Sequence, residues 1–137
     1  VYPKNGLQNS DLITITEPKE FNLYGFEVQI VPNSKDLIFV KDPQIAYFDL
    51  SKVHFPLLIR NWKEGDSFYP FGMKGKRKLS DFFKDLKLNL FQKQQISLLC
   101  ELNHPDQILW VIGHRTNDKC KVDPKTEQIL VIKKIMN

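Results

Sequence analysis

Residues able to do chemistry crowd into one stretch of this sequence, and their types suit gripping a polyanion rather than breaking a bond. Between positions 60 and 87, Arg60, Lys63, Lys74, Lys76, Arg77, Lys78, Lys84 and Lys87 are interleaved with Trp62, Phe68, Tyr69, Phe71, Phe82 and Phe83. Lysine and arginine neutralise phosphates, and exposed aromatic rings stack on bases or sugars. Lys74, Lys76, Arg77 and Lys78 share a loop with Gly72 and Gly75, a composition that suits a backbone nest around an RNA phosphate. A second basic stretch holds Arg115, Lys119 and Lys121. Residues 60–93 carry +5 and residues 111–137 carry +3, whereas 1–59 and 94–110 carry −2 each. If the fold joins the two basic stretches, they form one positive face; if not, each is solvated surface.

Motifs for bond-making chemistry are missing. His54, His104 and His114 lie far apart without ligand spacing, and the chain has no CxxC, HxxxH or HExxH, so a metal site is not expected. It has neither GxxxxGK[ST] nor GxGxxG, so the Gly72–Gly75 loop is a poor match to an ATP cradle. Ser80 reads as a helix cap rather than a nucleophile, and Asp66, Asp81 and Asp85 read as turn, cap and surface residues. Cys100 and Cys120 are too few for a disulfide framework. Two reduced thiols suit a cytoplasmic protein, with one disulfide as the alternative.

The elements that must position these residues are mostly strands. Apolar alternation and β-branched runs predict strands over 11–16, 21–31, 36–41, 44–50 and 54–62, separated by turn signals such as Pro32-Asn33-Ser34 and Asp42-Pro43. The apolar positions 79, 82, 83 and 86 follow helical spacing and predict a helix over 79–88, with Ser80 or Asp81 at its start. Phe82 and Phe83 then face the core, while Lys84 and Lys87 sit off the apolar face. A second short helix is predicted over 90–97. Strands are predicted again over 97–102, 107–113, 119–122 and 127–135, with a polar turn at 103–106. The short connections favour antiparallel pairing. The expected fold class is α+β: β-rich, sandwich-like antiparallel strands with one or two short helices around 79–97. The length of 137 residues fits one domain. No apolar run approaches the ~20 residues of a membrane span, and no signal peptide is recognisable. The first residue is Val rather than Met, which leads us to expect further chain upstream.

The stretch GDSFYPFGMKGKRKLSDFFKDLKL (65–88) resembles the C-terminal domain of bacterial tRNA(Ile)-lysidine synthase, whose pattern after an upstream Arg is GDxFxPxGMxGxKKLSDFFxDxK. Arg60, Gly65, Asp66, Phe68, Pro70, Gly72, Met73, Gly75, Lys78, Leu79 to Phe83, Asp85 and Lys87 carry the match. ILWVIGHR (108–115) and Cys120-Lys121 are similar to the family's later IxWVxGxR and FK. The resemblance spans roughly 57–125. Asn89 stands where the family usually has Pro, Lys93 and Gln95 near its arginines, Thr116 for an aliphatic residue and Cys120 for an aromatic one.

The resemblance implies a β-sandwich-like unit with added helices, similar to a domain of phenylalanyl-tRNA synthetase. It implies one C-terminal tRNA-binding domain over 1–137, with 57–137 as the matching core and 1–56 as strands packed on it. The parent enzyme is then an ATP-dependent ligase that joins lysine to the wobble cytidine of tRNA(Ile). ATP and magnesium belong to a separate N-terminal catalytic domain, and no cofactor or metal is expected in this chain, which is expected not to be catalytic. The expected partners are tRNA(Ile), held by its acceptor stem, and the rest of the enzyme, in the cytoplasm and away from membranes. Phosphate contacts are expected from Arg60, Lys74, Lys76, Arg77, Lys78, Lys84 and Arg115, with Lys63, Lys87, Lys119 and Lys121 in second rank. The alternative is a structural or homodimer-forming domain that uses the aromatic strands 21–30 and 44–50.

Overall fold

A computed structural model describes residues 12–135. Among these residues ten strands pair antiparallel throughout. Five of them, β1 (Ile13–Ile15), β4 (Leu57–Asn61), β7 (Ser97–Glu101), β8 (His104–Val111) and β9 (Arg115–Thr116), form one sheet in that order. Three more, β2 (Phe26–Pro32), β10 (Gln128–Lys134) and β3 (Ile45–Asp49), form a second sheet. A ribbon of β5 (Ser67–Phe68) and β6 (Arg77–Lys78) leads into α1 (Leu79–Asp85), followed by α2 (Leu90–Gln94).

The five-stranded sheet is apolar on both faces, so its central strands read as continuous apolar runs. One face packs on the three-stranded sheet through Ile15, Ile59, Leu99, Leu109, Trp110 and Ile112 against Phe48, Leu130 and Ile132. The other face carries Leu98, Cys100, Ile108 and Val111, which pack under Phe68, Leu79, Phe82 and Phe83. The register between β7 and β8 shifts twice, between Leu99 and Cys100 and again between Cys100 and Glu101. Leu99 pairs with Trp110 but Cys100 pairs with Ile108, so Leu109 is an extra residue in β8. This bulge turns Leu109 and Trp110 toward the same core. Removing a fully buried ring such as Phe83 should cost about 3–5 kcal/mol.

Several expectations are corrected. The strand expected over 36–41 does not form, although the run is apolar: Ile38, Phe39 and Val40 stay exposed and find no ladder partner. The expected strand 21–31 is split. Pro18–Tyr24 form a 3-10 turn ended by Gly25 at φ 86°, and only Phe26 onward is extended. Residues 119–122 are no strand either, because Asn117 caps a 3-10 turn over Asp118–Cys120. The polar turn expected at 103–106 shrinks to Leu102-Asn103, and His104–Asp106 extend β8. The strand expected from residue 11 begins within the described region at Ile13.

The helices also start and stop differently. Helix α1 begins at Leu79, so Lys78 holds the cap position without a side-chain bond, and neither Ser80 nor Asp81 caps it. It ends with the Leu88 N–H donating to the Phe83 carbonyl and the Lys87 N–H to that of Lys84, around Lys87 at φ 58°. Asn89 then caps α2. Its side chain accepts from the Gln92 N–H at 2.8 Å, and the Gln92 side chain accepts from the Asn89 N–H at 2.9 Å.

Candidate nucleic-acid interface

The loop between β5 and β6 rises from a clamp at its root. Arg60, on β4, is buried, and its guanidinium donates to both oxygens of Asp66 at 3.0 and 2.9 Å. It also donates to the carbonyls of Asn61 and Pro105. Asp66 closes the turn before β5 by accepting from the Lys63 N–H at 2.7 Å, while its own carbonyl accepts from the Leu79 N–H. Burial alone would raise the Asp66 carboxyl, but hydrogen bonds from Arg60 and Lys63 outweigh it and hold the group below its ordinary value. Arg60, expected among the phosphate contacts, has its donors engaged inside the protein. Lys63 is exposed but bridges Asp66 and Asp106.

A second anchor joins the loop to the later basic stretch. Pro70 bridges Asn117, the Phe71 N–H donates to the Thr116 carbonyl at 2.9 Å, and the Asp118 N–H donates to that of Tyr69 at 2.7 Å. The Gly72 N–H donates to Asp118 Oδ1 at 3.1 Å. Buried Asn117 ties this corner to the bulge, its Nδ2 donating to the Ile108 carbonyl and its N–H to that of Leu109. The sequence reading passed over Asn117 and Asp118, although an Asn-Asp pair after a strand is a cap and turn signal.

These anchors bring the two basic stretches together. Arg115 lies over the Phe82 ring at 5.7 Å and points a donor at the Phe71 carbonyl. Lys119 Nζ stands 4.1 Å from the Tyr69 ring centroid. The candidates then divide by what already holds them. Arg77 pairs with Asp85, and Lys121 with Asp118. Lys74, Lys76, Lys78, Lys84 and Lys87 are exposed and have no carboxylate partner among the described residues. Gly72 and Gly75 sit at φ 80° and 82° in open space, so the glycines serve the backbone path rather than a tight fit. Phe82 and Phe83 are core, as their spacing predicts, and Phe68 is buried with them, whereas Phe71 is half exposed on the loop.

The two cysteines are not activated thiols. Burial pushes the Cys100 thiol up to about 12 and the Cys120 thiol up to about 11, so both stay protonated. Both are free and buried. Burial, with Lys134 nearby, lowers His114, which is neutral at pH 7.

A two-layered antiparallel sandwich with a helical appendage is a fold also seen in two tRNA-related crystal structures. One is that of a TilS C-terminal domain, matching at TM-score 0.64 and 17% identity over 91% of this chain and 92% of that one. The other is an N-terminal fragment of the phenylalanyl-tRNA synthetase beta-subunit from Pyrococcus horikoshii, at TM-score 0.54 and 18% identity over 64% of this chain and 27% of that one. At such identities the likeness concerns fold alone. The sequence goes further: residues 57–132 match the family model of the TilS substrate C-terminal domain, and the chain belongs to that family. It is 45% identical to tRNA(Ile)-lysidine synthase of Parabacteroides distasonis over 85% of its own length and 25% of that protein's. It is 36% identical to the corresponding enzyme of Bacteroides thetaiotaomicron over 68% of its length and 21% of that protein's. The chain thus spans about a quarter of these relatives. The expected family and the β-rich class are both borne out. Among the described residues no helix is long and apolar enough to cross a membrane.

Proposed function

We propose that this chain is the tRNA-gripping C-terminal domain of a lysidine-forming ligase, which holds tRNA(Ile) by its acceptor stem while a separate domain modifies the wobble cytidine. The observation that carries this reading is a set of five lysines with no carboxylate partner among the described residues, Lys74, Lys76, Lys78, Lys84 and Lys87, around one glycine loop and the short helix behind it. Unpaired ammonium groups release counterions from phosphates without first breaking an internal ion pair. A duplex stem is read through phosphates, 2′-hydroxyls and shape, which needs a basic protrusion rather than a base-reading groove. Arg115 and Lys119, held on ring faces, extend the same surface. Arg60 positions the loop and is not carried into the contact set. The chain acts in the cytoplasm, contributes no catalytic group, and leaves ATP and magnesium to the other domain.

The test is anisotropy binding of tRNA(Ile) and an unrelated tRNA across a salt series. The wild-type chain should bind with a steep salt slope. The triple variant Lys74→Ala, Lys76→Ala, Lys78→Ala should lower that slope by roughly 0.7–0.9 per lost phosphate contact. An unchanged slope would remove the loop from the interface. A second reading, docking on the rest of the enzyme or on a second copy, draws on Leu90 and Phe91, each 69% exposed on α2. A mass in solution above that of one chain, without RNA, would favour it.

A further inference from the structure

Beside the lysine loop the protein has a cleft of about 560 Å³ that the gripping reading does not use. It lies where β3, at the edge of the small sheet, approaches β9, at the edge of the large one. Phe39 and Tyr47 line one side, their rings edge-on with centroids 4.9 Å apart. Phe71 and Arg115 line another, and Trp110, only 1% exposed, forms the inner surface. The Tyr47 hydroxyl accepts from the Val40 N–H at 3.0 Å, which ties segment 37–42, outside either sheet, to β3 as a wall. Lys41 and Asp42 also line the cleft, and the Asp42 carboxylate already accepts from the Gln44 N–H at 2.8 Å.

We propose that this cleft receives an unpaired nucleotide of the RNA whose duplex the lysine loop holds. The inference rests on the reading above and deepens it. Three features select a nucleobase over other apolar occupants. The walls are aromatic, and base–ring stacking accepts any base because every base has a π-face. Arg115 lines the cleft with no carboxylate partner among the described residues, leaving a cation for the nucleotide's phosphate. Phe71 belongs both to the cleft and to the lysine loop, so a backbone tracked along the loop reaches the cleft without leaving the protein surface. Stem and unpaired end would thus be held by adjoining parts of one surface.

The experiment uses the 137-residue chain and three labelled RNAs: a blunt duplex, the same duplex with a short single-stranded overhang, and the same overhang built from abasic nucleotides. The abasic form keeps the phosphates and removes only the bases. The base-bearing overhang should bind about tenfold tighter than the abasic one, within the range that stacking one base provides. Phe39→Ala, at a residue outside the lysine loop, should erase most of that difference and leave blunt-duplex affinity unchanged. Phe71→Ala should do the same to the difference, and Phe71→Trp should restore it. In a Trp62→Phe background, where Trp110 is the sole tryptophan, the base-bearing overhang should quench emission and the abasic one should not. Equal binding of the two overhangs, or a difference that survives Phe39→Ala, overturns the cleft assignment while leaving the gripping reading intact. If no RNA binds at low salt, both fall together.

Discussion

Two basic regions, one at the root and one at the tip of the same loop, have opposite fates. At the root of the β5–β6 loop, Arg60 is 7% exposed and its donors are taken by Asp66 and by backbone carbonyls. At the tip, Lys74, Lys76 and Lys78 are exposed and answer to no carboxylate among the described residues. A guanidinium with a planar fork suits a fixed internal pair, and ammonium groups on flexible stems suit a mobile polyanion. The contrast separates holding the loop from touching a ligand, which residue type alone does not.

The largest effect should come from breaking the root. Arg60→Ala leaves the Asp66 carboxylate buried without its partner, a loss of about 3–5 kcal/mol. Alanine at Lys76, on the surface, should stay within about 0.5 kcal/mol. Denaturant unfolding of both variants measures the gap. Where Arg60→Ala is still folded, its RNA affinity should fall while the salt slope stays at the wild-type value, since no phosphate contact is lost. A reduced slope would make Arg60 a direct contact after all.

Acid sharpens the same comparison. The folded-state pKa of Asp66 lies below its unfolded value near 4, so between the two values the unfolded chain binds more protons. The pair's contribution is therefore complete above about pH 4 and is lost as pH falls through the folded value. Asp49, despite burial, is also held low by hydrogen bonds from Ser51 and Thr126, and Asp123 by Lys52, so both add to the wild-type acid limb. Asp66→Asn should flatten that limb in part, as followed by thermal unfolding between pH 5 and 2. An unaltered limb would mean that the Arg60–Asp66 pair is not what acid breaks.

The parts of this molecule legible in its sequence are those where burial follows a simple period. The runs around Leu57–Asn61, Ser97–Glu101 and Gln128–Lys134 are strands because both faces or one whole face are buried, and Phe82 and Phe83 fall on the apolar side of a helix. Ile38, Phe39 and Val40 have the same composition and form no strand, because strand formation depends on a partner and the composition does not reveal one. Charge was legible as an amount and not as an assignment. Arg60 and Lys74 look alike in sequence, and only the fold brings Asp66 to one and leaves the other free. Asn117 was missed for a related reason. Its partners are the Ile108 and Leu109 carbonyls of a β-bulge that no local pattern announces.

The smallest effects test the lysines behind the loop. Lys87 closes α1 in the left-handed region, at φ 58°, where a side chain costs about 1–2 kcal/mol and glycine costs little. Its ammonium group is exposed and unpartnered among the described residues. Lys87→Gly should therefore raise stability by about 0.5–1 kcal/mol in denaturant unfolding. If Lys87 meets a phosphate, the same substitution should lower the RNA salt slope by roughly 0.7–0.9. Gly75→Ala is the converse case, a strained residue at φ 82° that removes no charge. It should destabilise the loop by about 1 kcal/mol with the slope unchanged. A more stable Lys87→Gly protein that grips RNA less tightly would show that the chain keeps a strained residue for its charge. Equal salt slopes in the two variants would reduce Lys87 to an ordinary helix terminus.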